Sequence, residues 1–246
     1  MSSLSCGIVG LPNVGKSTIF CALTNAAVES ANYPFTTIEP NIAIVDVPDT
    51  RLDSLAELLN SKKKVPTTLK FVDIAGLVKG ASKGEGLGNK FLGNIREVDS
   101  IVHVLRCFKG ETTHVMETID PIRDLDIISL ELAISDLQIL EKRIVKLEKN
   151  KRGGDKKAIE EYRIVEGLIK SINNNEPVPL SKYTDLEESR MIKELNLIST
   201  KPTIYILNFG NESIDLEEIK KLKSKIEERK ESFVEIYGLL ENEIKD

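Results

Sequence analysis

A phosphate-binding motif lies near the amino terminus, at residues 10–18, Gly-Leu-Pro-Asn-Val-Gly-Lys-Ser-Thr. It fits the pattern G-x-x-x-x-G-K-[ST], after a short apolar run at 4–9 and before apolar residues at helical spacing. In such a strand–loop–helix unit, backbone N–H groups line a concave nest at the start of the helix, where polyphosphate charge is stabilised. The motif therefore predicts a triphosphate site in which Lys16 reaches the β- and γ-phosphates and the Ser17 hydroxyl ligates Mg²⁺. The alternative is an ordinary Gly/Pro-containing turn before a helix.

A second motif, Asp73-x-x-Gly76, weakens that alternative. It ends a β-branched and aromatic run that begins at Lys70, a few dozen residues after the first motif. Nucleotide switches place a Mg²⁺-side aspartate and a γ-phosphate-sensing glycine in this arrangement. Four glycines then fall within residues 80–88, and this composition predicts a mobile switch loop.

The composition limits the classes of partner. The chain has 246 residues, is 41% hydrophobic and carries a formal net charge of −5, with a pI of about 5.4. A chain of this charge is no general polyanion binder, so we expect no DNA partner, and an RNA contact must come from a local patch. No signal peptide and no apolar run of about 18 residues appears, which predicts a cytoplasmic protein without a membrane partner. Cys6, Cys21 and Cys107 are scattered, so we expect buried or half-buried reduced thiols.

The elements that position these motifs alternate between strands and helices as far as about residue 108. Strands are predicted at 4–9, 41–47, 70–73, 100–107, 203–207 and 233–237. Helices are predicted directly after the phosphate loop and at 50–59, 91–96 and 216–226. Two prolines make 31–40 a loop. The alternation predicts an α/β fold with a mostly parallel, doubly wound sheet.

A different pattern occupies the middle of the chain. Apolar residues at spacings of three and four predict helices at 120–150 and 159–172, separated by Arg-Gly-Gly-Asp. Two amphipathic helices joined by a Gly-Gly turn predict an antiparallel coiled-coil hairpin. A capping box at 184–187 predicts a third helix through about residue 197. Because sheet elements lie on both sides, we expect an insertion at 119–198 within an NTPase domain formed by 1–118 and 199–246.

Three segments together carry a resemblance to a known family. They are the phosphate loop, Asn-Tyr-Pro-Phe-Thr-Thr-Ile-Glu-Pro at 32–40, and the long stretch 71–92 around the second motif. The chain resembles the YchF/Obg-like ATPase family of translation-factor-related P-loop NTPases, from about Ser5 to Thr200. The resemblance implies a Ras-like G domain, hydrolysis of ATP in preference to GTP with Mg²⁺, and association with ribosomes. Members of that family continue into a small TGS domain, which we expect to be absent from this sequence.

The resemblance also assigns roles by position. Asn13, Val14, Gly15, Lys16, Ser17 and Thr18, with Gly10 before them, would hold the phosphates. Ser17 and Thr37 would ligate Mg²⁺, Asp73 would support the metal, and Gly76 would sense the γ-phosphate. Thr37 suits this role physically, because a hydroxyl on a mobile loop can close over the metal when the γ-phosphate is present.

The base-binding segment departs from the related patterns. Guanine-specific switches carry N-K-x-D, and the resembled family carries N-x-x-E, whereas residues 208–212 here are Asn-Phe-Gly-Asn-Glu. The amide of Asn211 both donates and accepts, so it can pair with either purine, and an Obg-like GTPase stays an alternative. We expect Asn208, Phe209 and Asn211 on the base side, with Gly238 in a second loop there. The alternative for Asn208 is a turn residue at a strand end.

The hydrolytic machinery is less evident. Leu77 stands where Ras-like enzymes carry a water-orienting Gln, so another group must act or turnover stays slow. His103 lies within a predicted strand and is expected to be a hydrogen-bonded sheet residue. We hypothesise that His114, in a polar loop, orients or deprotonates the attacking water, against a plain surface histidine. Asn13 occupies the position where several relatives with Leu in place of that Gln hold an asparagine that helps to bind K⁺. The resemblance therefore implies a K⁺ ion beside the phosphates, against an ordinary phosphate contact.

The hairpin tip raises a function of another class. It carries the cations Lys149, Lys151, Arg152, Lys156 and Lys157. Such a cluster is a candidate contact for ribosomal RNA, in a nucleotide-gated binding module with incidental hydrolysis. The alternative is a solvated turn between two charged helices.

Overall fold

The computed structural model describes residues 4–24, 41–74, 87–110, 118–174, 176 and 183–244. The strands are β1 (Leu4–Val9), β2 (Asn41–Asp46), β3 (Thr68–Asp73), β4 (Ser100–Arg106), β5 (Thr203–Asn208) and β6 (Ser232–Ile236). The helices are α1 (Lys16–Thr24), α2 (Thr50–Leu58), α3 (Leu87–Glu97), α4 (Pro121–Arg152), α5 (Lys156–Asn173), α6 (Leu186–Leu195), α7 (Leu216–Glu228) and α8 (Gly238–Ile244). A 3-10 turn, Ile198–Thr200, precedes β5.

One sheet orders these strands as β2-β3-β1-β4-β5-β6. All neighbours are parallel except β2, which runs antiparallel to β3. The central strands are buried apolar runs, as expected of strands covered on both faces. The predicted α/β fold with a mostly parallel sheet is confirmed.

The carboxyl edge of the sheet assembles the candidate site. Parallel strands end at a common edge, and the phosphate loop leaves β1 there. Asp73 ends β3 beside Ile8 of β1. Arg106 and Asn208 end β4 and β5 as register partners. Three polar side chains from distant parts of the sequence therefore border one loop.

The helical hairpin forms as predicted. Gly153 and Gly154 turn the chain between α4 and α5, with Gly154 at φ 81°, and the Asp155 carboxylate caps the start of α5. Apolar side chains from α4, α5 and α6 form one core cluster, which includes Leu140 and Leu168. Arg143 also pairs across the hairpin with Glu161 at 2.5 Å.

Helix α4 belongs to two cores. Near its start, Ile128 packs in the central sheet cluster and Leu125 in the cluster with α7. Farther along, Leu140 and Leu147 pack in the hairpin cluster. The first turns of α4 are therefore part of the sheet unit, and the proposed domain division at 118/119 stays a prediction.

Several predicted helix boundaries were wrong. Helix α3 begins at Leu87 and not at residue 91, so Gly88 lies in this helix and not in the predicted loop. Helix α6 begins with Asp185 as its cap, whose side chain accepts from Glu187 N, and not with a capping box at Thr184. It ends at Leu195 because Asn196 takes the left-handed conformation, at φ 47°. Gly238, expected in a loop, is the first residue of the short helix α8.

His103 is buried on β4, as predicted, but its Nε2 has no hydrogen-bond partner among the described residues, which corrects the expected hydrogen-bonded state. Its ring packs 5.3 Å from the Tyr205 ring. Burial, with smaller contributions from the nearby Arg229 and Lys16 charges, lowers the His103 pKa to about 3. The folded protein therefore holds this imidazole neutral.

Acid should destabilise the protein through this group. Between pH 6.5 and 3 the unfolded chain protonates a histidine that the folded chain keeps neutral, so stability falls as pH falls. Between pH 6.5 and 4.5 the loss from this group is about 2 kcal/mol. Urea unfolding at both pH values should show a smaller acid loss in His103→Phe than in the wild type. Equal losses in the two proteins would contradict this assignment.

Candidate nucleotide-binding site

The phosphate loop lies between β1 and α1, in the strand–loop–helix order that its sequence predicts. Gly15 lies at φ 94° and Asn13 at φ 62°, both in the left-handed region. A Cβ on Gly10 would lie 2.7 Å from Val104 O, and one on Gly15 would clash with the Asn208 side-chain amide. Both glycines are therefore needed for the loop to lie against the sheet edge.

Lys16 and Asp73 place opposite charges beside this loop. Lys16 is only 8% exposed, and its Nζ donates to Leu11 O at 2.9 Å. Burial lowers the Lys16 pKa to about 8, against a smaller opposite effect of the Asp73 charge. Burial also raises the Asp73 pKa, which Lys16 and a hydrogen bond from Asn41 partly offset. A desolvated cation and a desolvated carboxylate at one loop suit a phosphate with a bound divalent metal.

Asn208 joins the phosphate loop to α8. Its Nδ2 donates to Val14 O at 2.9 Å, and its Oδ1 accepts from Gly238 N at 3.0 Å. Two residues that were predicted on the base side, Asn208 and Gly238, are thus brought into direct contact. The other two residues predicted on the base side are Phe209 and Asn211. Phe209 is buried in the core cluster beside α7, with its ring 5.6 Å from that of Tyr237, and Asn211 is exposed.

Arg106 is a site residue that the sequence analysis missed. Its side chain is fully buried, Nη1 donates to Asn13 O at 3.2 Å, and Nε donates to Phe108 O at 3.1 Å. The signal was available, because an arginine ends the otherwise apolar run of β4 at the edge where the phosphate loop lies. An arginine is almost never fully buried unless it is paired, and this one pairs with main-chain carbonyls of Asn13 and Phe108.

Comparisons with known proteins bear on the family of the chain. A family model described as 50S ribosome-binding GTPase matches residues 5–209. A Mycoplasma genitalium protein named ribosome-binding ATPase YchF is 48% identical, over 98% of this chain and 67% of its own length. The chain belongs to the YchF family. This confirms the family resemblance seen in the sequence.

The chain spans only part of the length of the YchF proteins that it matches. Relatives from Bacillus subtilis and Haemophilus influenzae, also named ribosome-binding ATPase YchF, are 50% and 53% identical over 86% and 85% of the chain. The chain spans 58% of the length of each. A solved structure titled as the Schizosaccharomyces pombe YchF GTPase has a TM-score of 0.78 and 38% identity, over 99% of this chain and 68% of that one.

Several predicted residues lie outside the described ranges. They include the switch residues Thr37, Gly76 and Leu77, the glycine-rich loop before α3, and the proposed water-orienting His114. Their roles stay predictions from the YchF resemblance and from the residue types. Of the phosphate-binding set, Ser17 and Thr18 lie in the first turn of α1, and both are partly buried.

Two further expectations concern the rest of the molecule. Cys6 and Cys107 are buried and Cys21 is partly buried, as predicted. Burial raises the Cys107 pKa to about 12, so this thiol stays protonated. Within the described ranges, each helix is too short or too polar for a membrane span.

Proposed function

We propose that this YchF-family chain binds a purine nucleoside triphosphate with Mg²⁺ and hydrolyses it, with ATP preferred over GTP, as a ribosome-associated switch. The observation that carries the proposal is a complete phosphate loop with the buried Lys16 and the partly buried Asp73 beside it. Burial removes the Lys16 ammonium from water in the free protein, which destabilises its charge. A bound polyphosphate would stabilise that charge in place of water. Slow intrinsic turnover is expected, because Leu77 cannot orient a water.

The residues present fit a Mg²⁺ ion. The hydroxyls of Ser17 and Thr37 would supply hard oxygen ligands of the kind that Mg²⁺ prefers, and the Asp73 carboxylate would support the ion without ligating it directly. The ion would neutralise charge on the β- and γ-phosphates. A K⁺ ion near Asn13 and a water-orienting role for His114 are further parts of the proposal. Equal turnover in K⁺ and Na⁺ buffers would argue against the first, and full turnover of His114→Ala against the second.

The identity of the base is the point on which relatives' names differ. The bacterial relatives are named ATPases, whereas the yeast structure is titled a GTPase. The Asn211 amide both donates and accepts, so it can pair with either purine, and the preference for ATP rests mainly on the YchF resemblance.

Side-by-side calorimetric titration with Mg·ATP and Mg·GTP tests the proposal. We expect heat with both and a lower Kd for ATP, with Lys16→Met as the control that removes both signals. Tighter binding of GTP would favour an Obg-like GTPase. No heat with either nucleotide would overturn the proposed function.

A ribosome contact is proposed for the hairpin that α4–α6 insert between β4 and β5. At its tip, Lys151 Nζ lies 3.9 Å from the Tyr162 ring centroid and Arg152 pairs with Glu148 at 3.0 Å. Lys149, Lys156 and Lys157 are exposed. A cluster of exposed cations of this kind can contact RNA phosphates, and such contacts weaken as the salt concentration rises.

Ribosome co-sedimentation at two salt concentrations tests this contact. Binding should fall with salt and with replacement of Lys149, Lys156 and Lys157 by glutamine. Unchanged sedimentation of the glutamine variant would reduce the tip to a solvated turn. Sedimentation without any effect of nucleotide would argue against gating.

A further inference from the structure

We propose that Arg106 is a positioning residue of the phosphate loop, which holds the Asn13–Val14 peptide so that Val14 N–H faces the phosphates. The inference rests on the proposed nucleotide site and adds to it a residue from the end of β4. Its evidence is a matched pair of contacts made by two register partners, Arg106 and Asn208.

The two partners bind consecutive carbonyls of the loop. Arg106 Nη1 donates to Asn13 O at 3.2 Å, and Asn208 Nδ2 donates to Val14 O at 2.9 Å. Neighbouring strands in a sheet lie about 4.8 Å apart, so side chains at paired strand ends can serve adjacent peptide units of a chain crossing above them. The sheet edge is thus a template for two successive peptides.

Anchoring a carbonyl also directs the N–H of the same peptide. In a planar trans peptide, the C=O and the N–H point in opposite directions. With Asn13 O held against the sheet by Arg106, Val14 N–H points away from the sheet. With Val14 O held by Asn208, Gly15 N–H does the same. These are the amides that a phosphate nest needs, and Asn13 at φ 62° is strained without such support.

The surroundings of Arg106 fix its guanidinium. Nε donates to Phe108 O at 3.1 Å, and the guanidinium carbon lies 4.5 Å from the Phe108 ring centroid. The Asp124 charge, in the first turn of α4, attracts it. A planar fork can meet two carbonyls and a ring at once, whereas a lysine offers a single point charge.

The test compares nucleotide affinity in Arg106→Met, Arg106→Lys and a control, Arg229→Met. Arg229 also binds α4, through Ser129 Oγ at 2.9 Å and Asp126 at 3.2 Å, at a place outside the phosphate loop. We expect Arg106→Met to weaken ATP and ADP alike, about 10- to 100-fold, because the nest is misplaced for both. Arg106→Lys should restore little, and Arg229→Met should bind like the wild type.

A second measurement does not need nucleotide. In ¹⁵N-edited NMR spectra of the free protein, both Arg106 variants should shift the Val14 amide, whereas Arg229→Met should leave it in place. Thermal unfolding of all three variants separates this effect from a general loss of stability. An unmoved Val14 amide, or full affinity in Arg106→Lys, would overturn the inference. A wild type that binds no nucleotide would instead overturn the proposed function, and the amide result would still decide the role of Arg106.

Discussion

Lys16→Met is expected to abolish nucleotide binding and to make the free protein more stable. Loss of the ammonium removes the charged contact to the β- and γ-phosphates, which should weaken ATP by about 100-fold or more. The same ammonium is costly to bury, since its pKa falls from 10.5 to about 8 in the folded chain. Removal of the buried charge should therefore stabilise the folded protein by about 3 kcal/mol at neutral pH. Loss of the hydrogen bond to Leu11 O should offset about 1 kcal/mol of this gain. A net gain of about 1–2 kcal/mol is expected.

The pH dependence of stability and of nucleotide affinity tests the same assignment independently. A lowered lysine pKa means that the unfolded chain binds more protons than the folded chain between pH 8 and 10.5, so this group's contribution to stability rises with pH in that window. Lys16→Met should lack this rise. The wild type should lose nucleotide affinity above about pH 8, where Lys16 of the free protein loses its proton.

Lys201→Met is a matched control for the lysine. Lys201 Nζ also donates to main-chain carbonyls, to Arg96 O at 2.9 Å and Val98 O at 2.6 Å, where it closes the end of α3. Its loss should lower the melting temperature and leave the Kd for ATP unchanged. Measured by calorimetry and thermal unfolding, the two variants should therefore change stability in opposite directions. A Lys16→Met protein that is less stable than the wild type would contradict the proposal that burial of the Lys16 ammonium destabilises the free protein.

The sequence predicted the parts of this site that are encoded locally. The phosphate loop has its glycines, lysine and serine within nine positions, and the turn at Gly153 and Gly154 lies between two periodic segments. Such features carry their own geometry, because the backbone freedom of glycine and the helical period act over a few residues. The boundaries of α4 and α5 were therefore close to those predicted.

Features that depend on distant partners were not predictable in this way. Arg106 lies 93 positions from its partner Asn13, so its place at the end of the β4 run makes it conspicuous in the sequence but does not identify that contact. The Asn208 amide was expected to meet a base, and the structure shows both of its polar ends used by Val14 O and Gly238 N. Register between β4 and β5 creates these contacts, and register follows from the assembled sheet.

Asp136→Ala is expected to cost about 3–5 kcal/mol, because it leaves the partly buried Arg96 guanidinium without its charged partner and two main-chain amides without their acceptor. Asp136 is fully buried on α4, between the half that packs on the sheet and the half that packs in the hairpin. Its carboxylate accepts from Arg96 Nη1 at 2.8 Å, from the Ile198 and Ser199 amides at 3.0 and 2.8 Å, and from Ser199 Oγ at 2.7 Å. One side chain thus joins α3, α4 and the turn before β5.

Asp126→Ala is the matched control on the same helix. Asp126 pairs with Lys225 at 2.6 Å and Arg229 at 3.2 Å, but its side chain is 49% exposed, so water screens both pairs. Its loss should cost less than about 1 kcal/mol. Urea unfolding measures the loss of unfolding free energy in each variant. A loss for Asp136→Ala within about 1 kcal/mol of the control would contradict the role of Asp136 in joining α3, α4 and the turn before β5.

A double-mutant cycle shows whether the cost belongs to the pair. Arg96→Met alone leaves the Asp136 carboxylate buried with its amide partners, and Asp136→Leu alone leaves the guanidinium with Ser135 Oγ at 2.7 Å and Asn196 O at 3.0 Å. Either single change should therefore be severe, whereas the double change removes both charges and should cost less than the sum of the two.

Hydrogen exchange in the double variant should rise first in α5 and α6, since these helices reach the sheet through α4 and the turn that Asp136 holds. Additive costs would mean that Asp136 acts through the Ile198 and Ser199 amides alone, and that the ion pair contributes nothing to the joint.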